Sequence, residues 1–376
     1  MILSKEFNRS AIARDSDLTL STFTSPPSFL SASTTSQIPC PVSPPTIVQF
    51  GANSPLEFSR SSSLVAPFVS GIDLNCGCPQ SWACAETLGA KLMDNRGLVL
   101  DMVTTCRERL RSEGWGVECD ASKDAPAEDG MGSSRGRSIS VKIRIHKDLR
   151  QTVDWIDTVL GPPGTPRNID WLTIHPRTRH TPSSTPINVE ALQFLTEKYG
   201  RRVPILVSGD VFTLDTLPYT STLQPLPTMW TSEGIKPSPS LPPPPSTARG
   251  HPAEPEMRPE TAPRPPHIPL LSGLMSARAL LSNPSLFSGS PSCTWHAVSL
   301  FLSNVSRANL PLKLVQHHLG EMLGTGFGPN AGGPSGPKHA LLGKKDRVRL
   351  LGCKNFCAVV DFLDDLREDQ GGIDRF

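Results

Sequence analysis

The sequence contains no run of about 18 apolar residues, which excludes a membrane-spanning helix. It shows no secretory leader: Met1-Ile-Leu is followed at once by Ser4-Lys5-Glu6. The 29 glycines keep no period of three, so a collagen-like rod is excluded. Apolar residues are scarce, at 37%, where ordinary globular domains reach roughly 45–50% with glycine counted. Net charge is nearly absent, at +2, so any affinity for nucleic acid has to come from a local patch rather than a bulk field. Nine cysteines are present, an odd number at irregular spacing. Without a leader they read as reduced thiols, not as a disulfide framework.

Proline is abundant. Together, 39 Pro and 29 Gly make up about 18% of the 376 residues, against roughly 12% on average. Three segments concentrate this bias. Residues 22–45 are rich in Ser, Thr and Pro, and residues 113–138 in Gly, Ser, Asp and Glu. Residues 218–269 hold 16 prolines, four of them in a run at 242–245. Such stretches bury too little apolar surface to offset their ordering entropy and are expected to be disordered insertions.

The flanks of these insertions read as consecutive elements of one fold. Short apolar runs at 46–50 (TIVQF), 71–75 (GIDLN), 140–145 (SVKIRI), 171–175 (WLTIH), 204–208 (PILVS) and 273–277 (GLMSA) predict buried parallel strands. Helical patterns alternate with them: residues 149–160 place Val153, Ile156, Val159 and Leu160 on one face, and 189–199 do the same with Leu192 and Leu195. Six such strands, with residues 1–4 as a clipped seventh, predict an α/β TIM barrel over residues 1–290. Beyond it, helical stretches at 295–304, 310–323 and 350–366 predict an all-α domain over residues 291–376.

The most informative stretch is Gly71-Ile-Asp-Leu-Asn-Cys-Gly-Cys-Pro-Gln80. A buried strand ends in Asp and Asn, and a turn then presents two thiols before Pro79. A cysteine there can be an acid, a nucleophile, a metal ligand or a buried structural thiol. Cys-x-Cys alone is too short for a zinc site, which needs four ligands.

These residues resemble the signature of the tRNA-dihydrouridine synthases, flavoenzymes with an Asp-Ile/Leu-Asn-x-Gly-Cys-Pro motif after a barrel strand. Further motifs follow in the family's order: VKIRI at 141–145, TIHPRT at 173–178 with Pro176 in place of Gly, VSGDV at 207–211 with Ser208 in place of Asn, and GLMSAR at 273–278 followed by Asn283-Pro284. The wording Asn-Cys-Gly-Cys-Pro-Gln-x-Trp resembles the eukaryotic branch that modifies uridines 20a and 20b of the tRNA D-loop. The resemblance covers residues 1–21, 46–112, 139–217 and 270–370. The chain start resembles the family's second strand, not the Ala-Pro-Met strand that opens the family. A seven-stranded barrel, incomplete at its N-terminus, is therefore expected.

The resemblance implies an FMN-dependent oxidoreductase that reduces uridine to 5,6-dihydrouridine with NADPH as electron donor. It makes Cys78 the general acid and places Gln49, Lys142 and His175 against the flavin ring. Ser208, Gly209, Asp210, Ala277 and Arg278 fall at the FMN phosphate, the usual barrel location for such a group. Lys142 read alone is a core-edge salt bridge, and His175 read alone a structural histidine. Between residues 338 and 354, six cations stand against Asp346 alone. That run is either a solvated face or, in an RNA-modifying enzyme, a phosphate contact through Lys344, Lys345, Arg347 and Arg349. Residues 328–338 read as a flexible loop, Cys353 and Cys357 as core, and His317-His318 as an amphipathic pair without a metal role. The expected partner is tRNA, with no metal and no membrane. The chain is expected to be a monomer in the cytoplasm, with the nucleus as an alternative site. The competing readings are another FMN barrel reductase and a tRNA-binding paralogue without flavin.

Overall fold

The computed structural model describes residues 1–18, 46–116, 136–214, 217–221, 265–290, 292–307, 310–324 and 341–369. Seven strands form one parallel sheet: β1 (Ile2–Leu3), β2 (Ile47–Gly51), β3 (Gly71–Cys76), β4 (Ser138–Arg144), β5 (Trp171–His175), β6 (Ile205–Ser208) and β9 (Gly273–Met275). They neighbour one another in chain order, the winding of a TIM barrel. Helices fill the crossovers: α3 (Pro55–Val65), α5 (Arg96–Ser112), α6 (Leu149–Leu160) and α7 (Val189–Tyr199), while the five-residue α4 (Ser81–Ala85) follows β3 and α8 (Arg278–Ser282) follows β9. Two short helices, α1 (Ser4–Arg9) and α2 (Ala11–Asp17), follow β1, so Ser4, expected in the first strand, instead opens a helix.

Each crossover helix starts where a side chain can satisfy its free amides. Ser54 accepts from Glu57 N ahead of Pro55, Asn95 from Leu98 N, Asp148 from Arg150 N, and Asn188 from Ala191 N. Gly161 ends α6 at φ 91°, a conformation that favours glycine.

Strand parity decides where the core sits. Ile72, Leu74 and Cys76, with Ile139, Val141, Ile143, Leu172, Ile174, Ile205 and Val207, point outward and pack under the helices. The alternate positions turn inward and are mostly polar: Gln49, Asp73, Asn75, Ser140, Lys142, Arg144, Thr173, His175 and Ser208.

The helices α9 (Trp295–Arg307), α10 (Leu312–Met322), α11 (Lys344–Gly352) and α12 (Phe356–Asp369) enclose a second apolar cluster around Val298, Leu319, Leu350, Val359 and Leu363. Gln316 Nε2 donates to Leu350 O (2.8 Å) and Cys353 O (3.0 Å), satisfying carbonyls at the end of α11.

Three expectations change. The helix expected over residues 350–366 is two helices, because Asn355 caps a new one by accepting from Ala358 N at 2.8 Å. Cys353 consequently lies in the break and Cys357 is exposed, not core. The insertion at 218–269 is narrower than its composition predicts. Tyr219 and Ile268 are buried, and β7 (Thr220–Ser221) pairs in parallel with β8 (His267–Ile268). At 113–138, Trp115 and Arg137 are ordered partners: the guanidinium stacks 4.6 Å from the indole and donates to Ala66 O. Residues 22–45 and 328–338 lie outside the described residues.

Trp155 on α6 is 1% exposed and donates to Leu92 O at 3.2 Å. Trp155→Ala is expected to cost about 4 kcal/mol. Urea unfolding of the two proteins should show the midpoint falling accordingly.

Candidate active site

The inward stripe of β2 to β6 carries the site's polar chemistry. Register aligns Gln49 with Asp73 and Ser140, Asn75 with Lys142 and Thr173, and Arg144 with His175. Asp73 is buried, and burial pushes its carboxyl pKa up. Hydrogen bonds from Ser140 Oγ (2.6 Å) and Gln49 Nε2 (2.7 Å) work against that, as does the Lys142 charge. Gln49 Oε1 in turn accepts from Asn75 Nδ2 at 2.7 Å. Asn75 Oδ1 accepts from the amides of Gly77 (3.0 Å) and Cys78 (2.9 Å). The buried carboxylate is thus connected, through two side-chain amides, to the turn that carries Cys78.

The two thiols of that turn differ. Cys76 is fully buried on the outward face, and burial with the nearby Asp73 charge raises its pKa well above the usual thiol value. It is a core residue. Cys78 is half-buried on the turn. Its carbonyl accepts from Ala90 N (2.8 Å), and Gly89 sits at φ 58° with no room for a side chain: a Cβ would fall 2.5 Å from Cys78 O.

A pocket of about 170 Å³ opens at the strand ends. Lys142, His175, Ser208, Gly209, Asp210, Ala277 and Arg278 line it, so seven of the nine catalytic and cofactor residues expected from the sequence meet there. Gln49 and Cys78 do not line it; Gln49 bonds to Asp73 and Asn75, and Cys78 stands on the turn whose Gly77 carbonyl accepts from Arg144 of the pocket wall.

Two residues not assigned from the sequence, Arg144 and Arg177, also line the pocket. Arg144 shares the face of Lys142 two positions on, and Arg177 stands inside the His-Pro-Arg motif, so alternation and motif both marked them. Arg177 is buried and pairs with Asp210. It also donates to Thr185 O (2.6 Å) and to His175 Nε2 (3.0 Å). A guanidinium only donates, so Nε2 accepts and Nδ1 carries the ring proton. Burial, with Lys142, Arg144, Arg177 and Arg278 nearby, lowers the His175 pKa to about 2 and keeps the ring neutral.

The Asp210 carboxylate is committed to Arg177 and to Ile187 N (2.8 Å), and its backbone is held at φ 55°. Four cations therefore line a pocket whose single carboxylate is already engaged, which suits an anionic group such as a phosphate. Gly209, at φ 103°, keeps the floor open: a Cβ there would lie 3.0 Å from His175 Nε2. Thr173 Oγ1, fully buried beside Lys142, makes no hydrogen bond among the described residues and leaves a polar atom for a bound group to satisfy.

The basic stretch falls on α11. Lys345 is exposed, whereas the side chain of Lys344 lies outside the described residues. Arg347 pairs with Glu321 at 3.7 Å. Arg349 lies between Asp346 (3.6 Å) and Asp365 (3.8 Å) and over the Phe362 ring. All three are solvent-accessible; the two arginines also hold the helices together. Among the described residues no cluster of His, Cys, Asp and Glu could hold a metal, and no helix is long and apolar enough to cross a membrane.

Residues 2–113 match the family described as dihydrouridine synthase (Dus). The chain is 26% identical over 366 residues to a Saccharomyces cerevisiae tRNA-dihydrouridine(20a/20b) synthase, NAD(P)+, covering 97% of this chain and 71% of that protein. It is 28% identical to a human protein named as like that enzyme, over 80% of this chain and 67% of the relative. A Schizosaccharomyces pombe tRNA-dihydrouridine(20a/20b) synthase is 27% identical, over 85% and 70%. The chain is thus similar to the dihydrouridine synthase family over residues 2–113, and its likeness to the 20a/20b synthases runs through most of its length.

Burial lowers the Lys142 pKa from 10.5 to about 8. Between these values the unfolded chain binds the extra proton, so this group makes stability rise with pH through that window, by roughly 3 kcal/mol at most. Urea midpoints at pH 7.5 and 10 should show this gain in the wild type and lose it in Lys142→Met. Affinity for inorganic phosphate should change the other way, weakening as pH passes 8.

Proposed function

We propose that this chain, similar over residues 2–113 to the dihydrouridine synthases, is an oxidoreductase that reduces uridine to 5,6-dihydrouridine in the D-loop of tRNA, at positions 20a and 20b. In this reading FMN occupies the cationic pocket and NADPH supplies the electrons. The observation that carries it is the juxtaposition of that pocket with a half-buried thiol, Cys78, on a turn fixed by Asn75 and Gly89.

The flavin, when bound, supplies the hydride that reduces the uracil ring. Lys142 and Arg278 meet negative charge in the pocket, and the amides around Gly209 and Ala277 take the phosphate. Neutral His175 presents Nδ1–H as a donor while Arg177 holds its other nitrogen. Hydride addition leaves the uracil ring anionic at carbon, and Cys78 donates the proton that completes the reduction. Cys76 cannot substitute, because its side chain points into the core on the opposite side of the sheet. The helical region 291–376 is assigned to tRNA binding, with α11 presenting its basic side chains. The chain is assigned to the cytoplasm as a monomer.

Cys78→Ala is expected to keep flavin, read by absorbance near 450 nm, and its reduction by NADPH, while losing ~100- to 10,000-fold in dihydrouridine formation. Cys76→Ala should retain turnover. The reverse pattern would move the acid to Cys76. For the basic helix, Lys345→Glu should weaken tRNA binding and lower its salt slope by about one, with flavin content unchanged. An unchanged slope would return Lys345 to a solvated face.

A further inference from the structure

A second concavity, of about 270 Å³, adjoins the candidate active site. Arg144 lines both. Its guanidinium donates to Gly77 O and Thr178 O, each at 2.8 Å, and so stands between the Cys78 turn and the loop after β5. Ala90 and Met93 form one wall. They belong to the turn at Gly89–Asp94 that hangs from Cys78 through Ala90 N. Lys147, Arg179 and His180 form the outer rim.

The charges of this cavity are unbalanced in one direction. Its carboxylate, Asp94, is held by Lys91 and by Arg179, both at 3.1 Å, and its pKa is lowered. Asp148, next to Lys147 in sequence, spends its side chain on the first turn of α6, accepting from Arg150 N at 3.0 Å. His146 is structural: its Nε2 reaches Met93 O and its Nδ1 reaches Thr152 Oγ1. Lys147 is exposed and has no ion-pair partner among the described residues. The cavity therefore offers an anion the ammonium of Lys147 and the remaining donors of Arg144 and Arg179, while its lining carboxylate, Asp94, is already paired.

We propose that this second cavity is a phosphodiester subsite that grips the RNA backbone beside the reacting base. A phosphate ester fits the donors, because guanidinium and ammonium groups at a solvent-open rim recognise phosphate oxygens without base identity. An RNA strand is favoured over a dinucleotide because the cavity lies against the Cys78 turn and away from the Ser208–Arg278 wall, so its occupant is continuous with whatever Cys78 protonates. This assignment rests on the RNA-modifying reading above, and its test separates the two.

The test uses the full chain, an unmodified tRNA transcript and Lys147→Glu, with Lys147→Arg as the charge-conserving control. Lys147 is exposed, so neither change disturbs the core. Lys147→Glu is expected to weaken tRNA binding about tenfold and to lower the salt slope by about one between 50 and 200 mM salt. Lys147→Arg should bind as wild type, and flavin content and NADPH oxidation should match wild type in both. Unchanged tRNA affinity in Lys147→Glu overturns the subsite. A weakened NADPH affinity with normal tRNA binding also overturns it, and reassigns the cavity to the dinucleotide's phosphates. A wild-type chain that forms no dihydrouridine, yet binds tRNA in a Lys147-dependent way, upholds the subsite and removes the proposed reaction.

Discussion

A carboxylate placed inside a barrel has to have its charge met, and meeting the charge of Asp73 organises the mouth of this one. Bare burial of such a group is costly, and hydrogen bonds from Ser140 and Gln49 with the nearby Lys142 charge offset that cost. Gln49 can serve Asp73 only with its nitrogen, which leaves its oxygen for Asn75. Asn75 then has one acceptor left, and the amides of Gly77 and Cys78 take it. Each bond limits the next, so the orientation of the Cys78 turn is inherited from a residue five positions earlier on a different part of the strand. Replacing Asp73 would therefore act at Cys78 through two intervening side chains.

The second organising feature is surplus positive charge at the strand ends. Arg177 is buried and fully engaged by Asp210, Thr185 and His175. It fixes the histidine tautomer and engages the one carboxylate that lines the pocket among the described residues, so Lys142, Arg144 and Arg278 add positive charge there that Asp210 does not meet. Such a surplus of positive charge favours an anionic group at the strand ends. Arg144 matters twice, since it lies between two concavities and ties the Cys78 turn to the loop after β5.

The inside-out distribution of polarity follows from parallel-sheet geometry. Helices cover the outer face, so the apolar half of each strand goes there, and the inner face is free to carry Asp, Asn, Lys, Arg and His. A chain that placed leucines at both faces of β3 and β4 would gain packing and lose its chemistry.

The sequence by itself determined the strands and their order, and the helices at 149–160 and 189–199 to the residue, because these are set by local periodicity and by caps a few positions away. It singled out Cys78, Lys142, His175, Ser208–Asp210 and Ala277–Arg278 through its resemblance to the synthases, not through its periodicity; read alone, Lys142 and His175 are a core-edge salt bridge and a structural histidine. It misjudged the split of the last helix at Asn355, where the apolar face continues through a cap that breaks the backbone pattern. It also missed the ordered ends of the proline-rich segment, where Tyr219 and Ile268 find the core. Only the tertiary structure decided which partner each polar group takes. Gln49 and Asp73 are 24 residues apart, Arg177 and Asp210 are 33 apart, and Arg179 and Asp94 are 85 apart. No periodicity carries information over such separations. Register between strands does, and register exists only once the sheet has formed.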